Sequence, residues 1–173
     1  DVLGSRGLGD VYKRQELLEN GQVDLIVVNS PNAYLGNISS IQKISSFHDV
    51  FIANEAFCEL KNKKLSLRQL LKYPLLMLDK KSTTSEFLHS LFQQYQLDLI
   101  PEIELSSNDL LIDLASIGLG IACIPDYCLS RKPDNLFMVE TKETLPERDL
   151  AVAYNSHLPV SKAVQQFLSY FNA

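Results

Sequence analysis

Three short polar clusters in this sequence have the right residue types to bind a small anion. They are Asn29-Ser30, Lys80-Lys81-Ser82-Thr83-Thr84 and Ser106-Ser107-Asn108. They follow the apolar runs VDLIVV, LLML and the shorter IEL, and the last two stand where a helical pattern begins. Hydroxyl groups beside the free N–H groups of a helix N-terminus suit a carboxylate or a similar small anion. The same residue types also serve as ordinary helix caps. Either reading fits one cluster alone; convergence of all three on one cleft would favour the anion.

The groups that could carry out a reaction are less well arranged. His48 stands beside Asp49, but neighbours in an extended segment point to opposite faces. His89 follows Thr84 at a spacing that does not stack on a helix, and all three histidines, His157 included, read as surface or boundary residues. There is no G-x-S-x-G elbow and no H-E-x-x-H pattern. Glu102 and Glu104 share one side of a strand and read as a solvated face. Cys58, Cys123 and Cys128 are odd in number, and the C-x4-C pair has no second pair or nearby histidine. They read as small reduced thiols, which points to the cytoplasm. The expectation is a binding protein: no enzyme, no metal and no cofactor.

The N-terminal stretch DVLGSRGLGDVYKRQ invites a different reading. Gly4, Gly7 and Gly9 precede Lys13 and Arg14, but only Asp1, Val2 and Leu3 come before them. A phosphate loop needs a strand there, and the glycine spacing fits neither common phosphate motif. Back-translated, Ser5–Gln15 resembles a transposase-end sequencing adapter read in frame. Residues 1–15 are therefore expected to be a non-native tail.

Composition narrows the class further. The chain has 173 residues, about one domain by the usual prior, and is 46% hydrophobic, enough for a packed core. Its formal charge is −5; residues 1–15 hold three basic and two acidic side chains, which leaves −6 on the rest. An acidic domain without a basic stripe is a poor nucleic-acid binder by itself. No apolar run approaches the roughly 18 residues of a membrane span.

Strand and helix patterns alternate along the chain. A helix ends over Glu16–Asn20 before Gly21, and Val23–Val28 reads as a strand buried on both faces. A turn is expected at Asn29–Asn32, and Ile38, Ile41 and Ile44 lie in an extended segment. Val50–Ala53, Leu75–Leu78, Ile100–Leu105, Gly120–Pro125, Leu136–Val139 and Leu150–Tyr154 read as strands. Ser66 caps a helix over Leu67–Lys72, and Pro74 stops it. Phe87, Leu88, Leu91, Phe92 and Tyr95 line one helical face, and a further helix after Ser106-Ser107-Asn108 carries Leu110, Leu111, Leu114 and Ile117. A last helix follows Pro159. This order predicts a mainly parallel sheet with helices on both faces, which places ligands at the carboxyl ends of strands.

Four segments carry a family resemblance, in the right order over 16–171. They are ELLENGQVDLIVV, LSLRQLLKYPLLMLDKKSTTSEFL, IELSSNDLLIDLASIGLGIACIP and LPVSKAVQQFLSYF. Together they resemble the effector-binding domain of LysR-type transcriptional regulators. The resemblance implies an α/β fold of the type 2 periplasmic-binding-protein class, with two Rossmann-like subdomains joined by two crossover strands. Subdomain one would hold 16–53 and 152–173, and subdomain two 54–151. A small effector would bind between them, facing Asn29, Ser30, Ser82, Thr83, Ser107 and Ile124. The family assembles as homodimers or homotetramers and binds DNA through an N-terminal winged helix-turn-helix. That element, and the first strand, first helix and second strand of subdomain one, have no counterpart in this sequence. Exposed apolar surface is therefore expected on an incomplete first subdomain. An extracytoplasmic solute-binding protein of the same fold is the alternative.

Overall fold

Gly21, just past the first helix, turns the chain into its first strand. It adopts φ +66°, a left-handed conformation that glycine takes without steric cost. There its N–H reaches Leu18 O at 3.1 Å, while Gln22 N reaches Leu17 O at 2.8 Å, so the helix end is closed. The computed structural model describes residues 9–30, 39–131 and 133–171. Helix α1 runs over Gly9–Glu19, so it includes the expected helix end and begins earlier. Residues 1–8, the Pro31–Asn32 part of the expected turn, and Ile38 lie outside the described residues.

The chain divides into two units, one holding 1–47 and 148–173, the other 48–147. The subdomain limits expected at 53/54 and 151/152 are therefore corrected. The reason is strand pairing. β3 (Asp49–Asn54) hydrogen-bonds only within the second unit's sheet, and β9 (Arg148–Asn155) lies wholly within the first unit's.

The first unit has a three-stranded antiparallel sheet in the order β1-β9-β2, with β1 at Leu25–Ser30 and β2 at Ser39–Phe47. Ile26, Val28, Ala151 and Ala153 pack with Leu18 of α1 on one face. Val152 packs with Val164 and Leu168 of α5 (Lys162–Ser169) on the other. β1 forms one edge of this sheet, so Val27 is 40% exposed rather than covered on both faces; Ile41, on the other edge strand, is 52% exposed.

The second unit has a six-stranded sheet in the order β4-β8-β3-β7-β5-β6. Its further strands are β4 (Lys64–Leu65), β5 (Leu75–Leu78), β6 (Ile103–Leu105), β7 (Ile121–Pro125) and β8 (Leu136–Thr141). β6 is shorter than expected: Ile100 is 80% exposed ahead of it. β6, β5 and β7 are parallel, but β3 is antiparallel to both β7 and β8. Since β4 is also parallel to β8, three of the five pairings in this sheet are parallel, as expected; the first sheet is antiparallel throughout, and the expectation is corrected there. β3 follows β2 after His48 alone, yet it joins the other sheet, where it lies between β8 and β7 and runs antiparallel to both.

Alternate side chains of the second sheet feed two cores. Leu75, Met77, Ile121 and Cys123 pack with Leu88, Leu91 and Phe92 of α3 (Thr83–Gln94). Leu76, Ala122 and Ile124 pack with Leu111, Ile112 and Ala115 of α4 (Asn108–Ser116). The two helices therefore cover opposite faces, as the period-2 alternation of the strands dictates. The short helix α2 (Leu67–Leu70) starts with a capping box between Ser66 and Gln69.

Candidate functional site

The second unit brings two of the polar clusters side by side. β5 and β6 are adjacent and parallel, with Leu78 opposite Leu105, so the segments after them leave the sheet at the same end. Asp79 N donates to Leu105 O at 2.9 Å and joins the two exits. The first exit is a tight turn: Ser82 N donates to Asp79 O at 3.0 Å and Lys81 N to Asp79 Oδ1 at 3.0 Å. This turn places Ser82 at the N-cap of α3, while Ser107 holds the N-cap of α4. Two helix N-termini with hydroxyls thus stand at the carboxyl ends of neighbouring strands, where backbone N–H groups are left over to face an anion.

The two serines are used differently. The buried Ser82 Oγ accepts from Ser85 N at 2.9 Å and caps its helix, which leaves its O–H proton to donate elsewhere. Ser66 and Ser161 cap α2 and α5 in the same way, accepting from Gln69 N at 3.2 Å and Val164 N at 3.3 Å. Ser107 makes no such bond. Its backbone explains the difference: φ is −139° at Ser107 but −70°, −78° and −64° at the three capping serines. The half-buried Ser107 hydroxyl is therefore not spent on capping its own helix.

The remaining expected residues have different placements. Thr83 is half-buried in the first turn of α3. Ile124 is fully buried in the core beside Leu76 and Leu111, and its backbone pairs with Val50. Asn29 and Ser30 end β1 in the first unit, half-buried and opposite Leu150 and Asp149.

One residue of the third cluster lies outside the six that the resemblance implied. Asn108 follows Ser107, and its Oδ1 is buried with no hydrogen-bond partner. An unpaired buried acceptor is costly, and a donor on a ligand would satisfy it. No feature of the sequence separates this asparagine from an exposed one. Nearby charge is mixed: Lys80 Nζ lies 4.0 Å from Glu104 Oε1, with the lysine 74% exposed.

His89 and His48 have structural partners. His89 Nδ1 lies 2.8 Å from Ser85 O and 3.3 Å from Ser85 Oγ, one helical turn back. His48 lies 3.8 Å from Asp126 Oδ2 through its ring, and its backbone N donates to the same oxygen at 3.0 Å. Asp49 is buried while His48 is exposed, as the opposite-face argument requires. Cys58, Cys123 and Cys128 are free thiols, exposed, buried and half-buried. Among the described residues no group of three His, Cys, Asp or Glu is placed to hold a metal ion, and no helix is long and apolar enough to cross a membrane.

Comparison with known proteins identifies the family and the fold. The family model for the LysR substrate binding domain matches residues 8–173. The chain is 28% identical over 168 residues to the HTH-type transcriptional activator CmpR of Synechocystis; the match covers 94% of the chain and 55% of that protein's length. It resembles the regulatory domain of Synechocystis CcmR in complex with 2-PG, with TM-score 0.81 and 22% identity over 92% of this chain and 77% of that one. It also resembles the effector binding domain of QuiR in complex with shikimate, with TM-score 0.77 and 18% identity over 93% and 78% of the two chains. The fold is accordingly the type 2 periplasmic-binding-protein-like α/β fold.

Proposed function

The chain belongs to the LysR substrate-binding-domain family, and from that premise we propose that it senses a small anionic effector for a DNA-binding transcriptional regulator. One observation carries the choice of site: Ser107 sits at a helix N-terminus with its hydroxyl unused for capping. Ser82, Thr83 and Ser107 can each donate an O–H to an anion, and the first-turn N–H groups of α3 and α4 add to them. Asn108 Oδ1 asks for a donor in return. A ligand that combines an acidic group with a hydroxyl or amine meets both demands. The structures of CcmR and QuiR domains in complex with 2-PG and shikimate support an effector of that size.

The domain acts by binding rather than by catalysis. An effector that prefers one arrangement of the two units shifts the population toward it and so changes how the assembled regulator holds DNA. Assembly is with further copies of the same chain. The exposed Leu110 of α4 and Ile117 at its C-cap, seven residues apart, support a second copy as the partner. DNA contact belongs to a segment outside this chain, which spans about half the length of its curated relative. The regulator works in the cytoplasm.

A thermal-shift screen of small hydroxy acids, amino acids and phosphate esters on the full-length gene product tests this reading. Stabilisation by at least one of them is expected. Flat melting curves across the whole set would sink it.

A further inference from the structure

Helix α4 is fastened at the end away from its uncapped N-terminus. Ser116 O, in its last turn, accepts two side-chain amides: Asn54 Nδ2 at 2.9 Å and Asn135 Nδ2 at 2.8 Å. Asn54 is the last residue of β3, and Asn135 immediately precedes β8, the strand beside it. Asn54 Oδ1 accepts from Ala56 N at 2.9 Å and caps the 3-10 turn Glu55–Leu60. Both ends of this amide are thereby engaged, and its orientation is fixed by its partners. Gly118 makes room for the contact. A Cβ there would lie 3.2 Å from both polar atoms of the Asn54 amide and 3.1 Å from Ala56 Cβ.

We propose that Asn54 and Asn135 are positioning residues that set where the N-terminus of α4 stands, and with it Ser107 and Asn108. The inference rests on the effector site proposed above. A helix of nine residues is a stiff rod about 13 Å long, so a shift at Ser116 carries through to the other end. α3 is secured at its own N-terminus by Ser82, whereas Ser107 supplies α4 with no such bond. The amide clamp is what compensates. β3 is also the strand by which the chain enters this unit, after 47/48. The helix that presents Ser107 is thus anchored to the chain's point of entry.

The test is amide NMR of the chain carrying Asn54→Ser, Asn135→Ala, or both. Serine keeps the cap on Ala56 but cannot reach Ser116, so it removes the clamp and spares the turn. The resonances of Ser107–Leu111 are expected to move, more in the double variant, while those of Thr83–Glu86 stay in place. Perturbation confined to residues 113–119, or equal at both helix starts, would overturn the proposal. This readout needs no ligand, so it stands or falls separately from the effector site. Where the wild-type chain binds inorganic phosphate, the double variant should bind it about threefold to tenfold more weakly at unchanged stoichiometry.

Discussion

Ser82 Oγ sits 2.9 Å from Ser85 N and closes the first turn of α3. At the neighbouring helix Ser107 makes no such bond, so alanine at these two positions should separate stability from binding. Ser82→Ala is expected to cost about 1 kcal/mol of unfolding free energy, and Ser107→Ala close to none, in urea titrations. Equal losses would mean that Ser107 caps α4 in solution.

The two glycines of the GLG stretch should fail for different reasons. Gly118 has φ +83°, and an added Cβ meets atoms at 3.1–3.2 Å, so Gly118→Ala should cost about 1–3 kcal/mol. At Gly120 a Cβ would lie 2.5 Å from the backbone carbonyl of Pro74, the same oxygen that Ile121 N reaches at 2.8 Å. Relief there requires β5 and β7 to part. Gly120→Ala should therefore destabilise more than Gly118→Ala, and the reverse order of melting temperatures would contradict the packing described.

Glu143 holds α2 from a distance. Its Oε2 accepts from Leu67 N at 2.9 Å, next to the Ser66–Gln69 capping box. Glu143→Ala should lower stability by about 1 kcal/mol, and Glu143→Gln, which keeps an acceptor, by less. A glutamine variant as weak as alanine would point to the charge beside the helix start rather than to the hydrogen bond.

On α4, Leu110 and Ile117 are 48% and 69% exposed. If a second copy covers them, Ile117→Lys in the full-length protein should lower the sedimenting mass while the monomer fold survives. An unchanged assembly would exclude this face.

Much of the fold was legible because local chemistry and tertiary structure agree. Ser66 caps where expected, Gly21 and Gly118 end their helices, and Leu88, Leu91 and Phe92 are buried together. The antiparallel placement of β3 was not legible, since strand direction depends on how the chain enters the sheet rather than on its apolar pattern. At the site, residue type identified Ser82 and Ser107 equally. Which hydroxyl is spent on its own helix depends on a backbone angle that composition does not encode. The Asn54–Ser116 contact joins residues 62 positions apart and has no local signature. Ile124 was expected to face the effector through the family resemblance, and only packing shows that its side chain is enclosed in the core.

The most direct test of the effector site is a calorimetric titration of the best ligand from the screen into wild-type protein and Ser107→Ala. The account predicts unchanged melting without ligand and binding weakened about tenfold, the loss of one hydrogen bond to a charged group. Identical affinity in the two proteins would contradict it.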